Sequence, residues 1–287
     1  DGGSLSGDGA NLFHSFEQFG LESGEIANFL SNQNIQNILG RVVGSDPSVI
    51  NGLIQVSNSS ANLYLINPAG VIFGADATLN VPADFMVTTA DGVGIDDVWF
   101  NAIGENDYAS LIGNPHSLLF GNSPGSIVNA GNLAVGNGNS LSLIGGTVVN
   151  TGTLSGSHVT MAAIPDQRRV RIEHPQLLLS LEIPAADNAT ELTDAISLSD
   201  LLTGGDVTVA TGVDVDDAGR IWLLNTSVNP GDVVVAGTVS GNQVQLAAAN
   251  QVSVLEDPTQ TIRTHGGQHS APIITRFSEN GTNANEL

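Results

Sequence analysis

The chain has no cysteine and no lysine. Without cysteine there is no disulfide framework and no thiolate metal site, although the compartment stays open, because exported proteins can also lack cysteine. Without lysine, the basic residues are seven arginines against 29 acidic residues, for a formal net charge of −22. A surface of that sign repels phosphate backbones and anionic lipid headgroups, which excludes nucleic acid as a partner. Aromatic residues are 5% of the chain, so stacking platforms for sugars are scarce. No apolar run reaches the 18 or so residues of a membrane-spanning helix, and no membrane insertion is expected. The chain starts at Asp1 rather than Met and reads as a mature or trimmed piece. What remains is 287 residues, 41% hydrophobic and 13% charged, enough for a full core and unlike a disordered chain. The 34 glycines and many asparagines make it dense in turns.

Internal repetition is the strongest pattern. GSIVNAGNL (125–133) and GTVVNTGTL (146–154) share Gly, Val, Asn, Gly and Leu at an offset of 21. GTVVNTGTLSGSHVTMAAI (146–164) and GDVVVAGTVSGNQVQLAAA (231–249) agree at ten of nineteen positions, at an offset of 85, close to four times 21. A period near 21 fits one coil of a β-solenoid, about three short strands with tight turns. Apolar residues alternate within LSLIGG (141–146), HVTMAAI (158–164), RIWLL (220–224) and QVQLAAA (243–249), as strands require. Ala162, Ala163 and Ala247 to Ala249 suit a narrow interior between stacked coils. A β-sandwich also repeats turn signals at short spacing; the 21-residue echo favours the solenoid.

Other stretches break the rhythm. Residues 11–40 read as strand and turn, and residues 1–30 as an N-terminal cap over the coil edges. Residues 91–124, with Trp99, Phe100, Tyr108 and Phe120, read as an excursion from the coil. So do residues 165–203, with a hairpin expected around His174-Pro175 and a short helix over 192–202. The β-helix is expected to occupy 1–255. Residues 256–287 are polar, and a flexible tail leading to a passenger beyond Leu287 is expected. No feature demands an oligomer, and a monomer is expected.

Catalytic motifs are missing: there is no nucleophile elbow, zinc-protease helix, phosphate loop or dinucleotide fingerprint. The six histidines are scattered. His158 lies in a strand pattern and should point outward. His265 and His269 are four apart with no helix to align them. Asp214, Asp216 and Asp217 with Arg220 are the best enzymatic candidates, since alternate aspartates on a strand share a face and can hold Ca²⁺. The same residues, DVDDAG, read more simply as a solvated turn, and Asp96-Asp97 do likewise. No catalytic residue, metal or cofactor is assigned.

Several segments taken together resemble a known family: NLFHSF (11–16), NQNIQNILGRV (32–42), INGLIQV (50–56), ANLYLINPAGVIFG (61–74), FMVTTAD (85–91), GSIVNAG (125–131) and SLSLIGG (140–146). They resemble the N-terminal secretion (TPS) domain of the filamentous haemagglutinin family, the exoproteins of two-partner secretion. VRIEHPQLLLSLEI (170–183) is similar to an element of the cyanobacterial branch. The resemblance is densest over 10–165. It implies an all-β, right-handed parallel β-helix with an N-terminal cap and extra-helical β-hairpin elements. It implies export through the periplasm and outer membrane to the cell surface or medium. The implied partner is a cognate outer-membrane transporter, whose periplasmic domains and barrel receive the chain. Two family motifs map here in altered form. The Asn-Pro-Asn-Leu motif corresponds to Asn32, Gln33, Asn34 and Ile35, and the Asn-Pro-Asn-Gly-Ile motif to Asn67, Pro68, Ala69, Gly70 and Val71. The resemblance makes Asn32, Asn34, Ile35, Asn67, Pro68 and Gly70 candidates for transporter recognition or for nucleating the fold.

The residues alone say something about these motifs. Pro68 presets a β-turn, Gly70 supplies backbone freedom after it, and Asn67 can bond its own backbone two residues on. Gln33 in place of proline should loosen the first turn. The motifs either contact the transporter or only shape corners. Two other functions compete with export: a polysaccharide lyase or hydrolase on a β-helix, and a passive glycan-binding adhesin.

Overall fold

The computed structural model describes the backbone of residues 2–173, 178–182, 212–215, 221–224, 228–254, 262–264 and 273–276, and the side chains of 2–172 and 228–254. The chain winds through three short strands per coil. Asn37–Val42, Ser48–Ile50 and Leu53–Ser57 make one coil; Asn62–Ile66, Val71–Phe73 and Thr78–Asn80 stack on them in parallel register. Among the described residues, repetition yields sheets of nine, six and seven strands around one interior. All neighbours in them are parallel except Ser4–Leu5, which caps Asn11–Phe16 antiparallel. The fold is a parallel β-helix.

Register explains the interior. Ile38, Leu63, Phe85, Leu141, Val159 and Val244 are successive partners in the nine-stranded sheet and form one apolar column. Pairing at identical register puts like side chains on like, each coil covering the apolar face of the last.

The 21-residue echo is one coil: Ser126 pairs with Thr147 and Asn129 with Asn150. The offset of 85 is also one coil, not four. Val148 pairs with Val233 and His158 with Gln243, directly on neighbouring strands. The intervening chain leaves the helix after His158–Ala163 and re-enters at Val233–Val235. A long insertion between stacked coils costs little extra loop-closure entropy, so the register holds across it.

Part of what leaves the coil builds a second layer. Gly92–Ile95, Val98–Asn101 and Pro115–Phe120 are joined by Arg168–Glu173 and Leu178–Glu182 into a five-stranded antiparallel sheet. This flanking sheet covers the outer face of the nine-stranded sheet. Phe100, Leu118, Phe120, Val170 and Ile172 pack there with Leu39, Tyr64, Met86 and Ile144 in a second core. Hence Asn37–Val42 and Ser140–Gly145 are buried at every position instead of on alternate ones. Ala162 and Ala247 face this second core; only Ala163 and Ala248 face the interior.

Asp96 and Asp97 form the two-residue turn between Gly92–Ile95 and Val98–Asn101, with Asp96 at φ 48°. Gly212–Val215 and Ile221–Leu224 pair antiparallel. Asp216, Asp217, Arg220, His174, the 192–202 segment, His265 and His269 lie outside the described residues, as does the side chain of Asp214. Within the stretch expected as a tail, Ile262–Thr264 and Ile273–Arg276 extend the seven- and nine-stranded sheets.

Candidate functional site

Both sequence motifs form closed turns. At the first, the Ile35 N–H donates to the Asn32 carbonyl at 3.1 Å, and the Asn34 N–H to Asn32 Oδ1 at 2.9 Å. The turn closes with Gln33 in place of proline, and the Gln33 amide donates to the Asn58 carbonyl on the next coil at 2.9 Å. Ile35 is buried in the interior, while Asn32, Gln33 and Asn34 are exposed. The turn borders an open concavity of about 610 Å³, completed by Leu5, Asp8 and Gly9. The Ser6 hydroxyl and the Ala10 N–H donate to the Asp8 carboxylate and hold its pKa below the ordinary value.

The second turn is sealed inside. Gly70 N–H donates to the Asn67 carbonyl and Ala69 N–H to Asn67 Oδ1, each at 3.0 Å. The Asn67 amide donates back to the Asp46 carbonyl and the Ser48 hydroxyl of the previous coil. Asn67 is fully buried, and its own N–H donates to Thr88 of the next coil. Above the corner sits Gly125, whose N–H donates to the Pro68 carbonyl at 2.9 Å. A Cβ on Gly125 would lie 2.5 Å from the Ala69 carbonyl carbon, so only glycine permits the approach. The column continues upward: Gly146 donates to Gly125 and Gly231 to Gly146, each at 2.8 Å. These are the glycines that open the three repeats read in the sequence. Asn67-Pro68-Ala69-Gly70 is the base of that corner.

The two turns therefore do not share a surface. Asn32 and Asn34 face solvent near the N-terminal end; Asn67 and Gly70 are walled in by the coils on either side.

Several groups escaped the sequence reading. Asn11, Asn37 and Asn62 are register partners, and their amides form a ladder: Asn37 donates to Asn11 Oδ1 at 2.9 Å and Asn62 to Asn37 Oδ1 at 3.0 Å. Asn129 donates to Asn150 Oδ1 at 2.7 Å, with both side chains fully buried. The spacings of these asparagines carry the signal. Arg41 is 6% exposed, and its guanidinium donates to the Asn101 and Gly104 carbonyls and to the Ser15 hydroxyl, pinning the first excursion to the coil. Asp232 receives three donors, from Asn229, Asn250 and Gln251, yet its pKa is raised because burial outweighs them. His158 points out of the coil but is half-buried, with Nδ1 enclosed.

Three parallel sheets around one interior, with an antiparallel sheet laid on one face, define a flanked β-helix domain. The family model of the TPS secretion domain matches residues 1–199, and the chain belongs to that family. Among solved structures, the HMW1 secretion domain from Haemophilus influenzae is similar over 98% of this chain, with a TM-score of 0.50 and 17% identity. This chain spans 65% of that one. A filamentous hemagglutinin secretion domain aligns over 94% of this chain and 92% of its own, with a TM-score of 0.47 and 13% identity. No curated protein matches the chain. At 17% identity the likeness to the HMW1 secretion domain speaks to fold alone.

Proposed function

We propose that this secretion domain is captured by the periplasmic domains of a cognate outer-membrane transporter, passes through its barrel, and nucleates β-helix folding outside the cell. The observation that carries the reading is the family match over residues 1–199, which spans both turns and the first coils. No ATP is available at that membrane, so progressive coil stacking on the far side supplies the pull. We take residues 1–30 as the cap of the folding unit, whose sheets run on past 255 to Ile262–Thr264 and Ile273–Arg276.

The geometry supports a division of labour between the motifs. Asn32 and Asn34, with Ile35 as the buried anchor beneath them, are the transporter contact. Asn67, Pro68 and Gly70 are the fold-nucleating corner, because Asn67 bonds to both neighbouring coils and Gly125 docks on Pro68. No catalytic residue, metal or cofactor enters this role.

The test is export of the chain from cells with and without the transporter. The protein should reach the medium only when the transporter is present. Equal amounts outside in both strains would end the proposal.

A further inference from the structure

The three sheets end differently at the N-terminal end of the helix. Ser4–Leu5 covers the edge of the nine-stranded sheet, and Leu21 bridges Ile50 beside the edge of the six-stranded one. The seven-stranded sheet ends in Ile26–Leu30, and among the described residues no strand lies beyond it.

The hydrogen bonds show which groups that leaves open. In a parallel ladder the N–H and C=O of one residue point to the same side, and the side alternates along the strand. Leu53 N–H donates to the Glu25 carbonyl at 2.9 Å, and Ser31 N–H to the Ser57 carbonyl at 3.1 Å. Odd-numbered residues 25 to 31 therefore face Leu53–Ser57, and Ile26, Asn28 and Leu30 turn their backbone groups to the open side. Their side chains are exposed too, Ile26 by 58% and Leu30 by 64%. The strand IANFL carries none of the devices that blunt an edge: no proline, no charge and no bulge. Beside it lies an apolar recess of about 400 Å³ at the coil's end, lined by Leu12, His14, Phe16, Phe19, Ala27 and Phe29.

We propose that this edge accepts an extended strand from a partner protein. The backbone of that strand pairs with Ile26, Asn28 and Leu30, and its apolar side chains cover the recess as another coil would. Charge selects the partner. Glu22 and Glu25 are exposed just before the strand, and the whole chain carries −22. A second copy is repelled edge to edge, whereas a strand bearing arginine or lysine on its outward positions is attracted. The pairing needs the folded coil edge, so it becomes available once folding outside the cell, as read above, has taken place; the chemistry of the edge does not depend on that reading.

The test uses the full chain and a ten-residue peptide alternating lysine and valine, with binding read by fluorescence anisotropy. Controls are the same peptide with every backbone nitrogen methylated, which keeps its charge but leaves neither edge able to form the ladder, and a peptide alternating glutamate and valine. Asn28→Pro removes an outward N–H without touching an inward one, and its fold is checked by circular dichroism. The lysine peptide should bind, and both methylation and Asn28→Pro should weaken it about tenfold or more, the scale of one or two lost hydrogen bonds. Equal binding of the methylated peptide would overturn the proposal even if Asn28→Pro failed to fold. So would equal binding of the glutamate peptide. No binding at all, with the Asn28 amide already protected from hydrogen exchange in the chain alone, would show the edge filled by the chain's own residues and overturn it as well. None of these outcomes alters transporter-dependent export, which is read separately in cells.

Discussion

Asn129 and Asn150 are wholly buried and joined amide to amide, so removing one strands the other. Asn129→Val should cost about 1–3 kcal/mol, because Asn150 Oδ1 loses its donor and the Gly131 N–H its acceptor. Valine already fills the next register position, Val235. The double change Asn129→Val with Asn150→Val should therefore cost less than the two singles summed. Urea unfolding of the four proteins measures the coupling, and strict additivity would contradict the ladder. His14 makes a second prediction. Burial holds its pKa below the ordinary 6.5. As pH falls, the unfolded chain takes up that proton first. This contribution to stability is complete above 6.5 and is lost as pH drops toward the depressed folded value. His14→Phe should reduce the drop in urea midpoint between about pH 7.5 and pH 5.5, the window this shift sets. An unchanged drop would assign the effect to the carboxylates alone.

At the scale of single elements, the corners are built on backbone approach. Gly125→Ala should destabilise by about 1–3 kcal/mol, since the new methyl meets the Ala69 and Gly70 backbone and not a yielding side chain. Thermal unfolding reads it, and a neutral result would mean the corner can open. The flanking sheet has its own clasp. The Arg169 guanidinium lies 5.0 Å over the Trp99 ring and ties the second excursion to the first across Gly92 and Gly94. Some of this was legible in the sequence. The 21-residue echo of GSIVNAG in GTVVNTG reported one coil, and NPAG reported a corner, because both patterns are local. The five-stranded flanking sheet was not legible. Its pairing of Pro115–Phe120 with Arg168–Glu173 joins segments some 50 residues apart, and no local period encodes such a contact. Nor did the apolar alternation of LSLIGG show that its second face is buried too, because that depends on what covers it.

For the whole molecule, the insertion after His158–Ala163 shows why counting periods misleads. The offset of 85 divides by 21 almost evenly, yet the structure spends it on one coil and one long departure. The similar segments are in register across it: Val148 pairs with Val233 and His158 with Gln243 on neighbouring strands. Asn67-Pro68-Ala69-Gly70 was legible as a corner between apolar runs; what the structure adds is that Asn67 bonds to both neighbouring coils and Gly125 packs on Pro68, whereas Asn32, Gln33 and Asn34 are exposed. That separation is tested most directly by measuring transporter-dependent export and in vitro refolding for Asn34→Ala and Asn67→Ala side by side. Asn34→Ala should refold at the wild-type rate yet be exported poorly. Asn67→Ala should refold slowly and lose about 1–3 kcal/mol of stability, with export falling in proportion. The opposite pattern, normal export of Asn34→Ala together with normal refolding of Asn67→Ala, would contradict both roles.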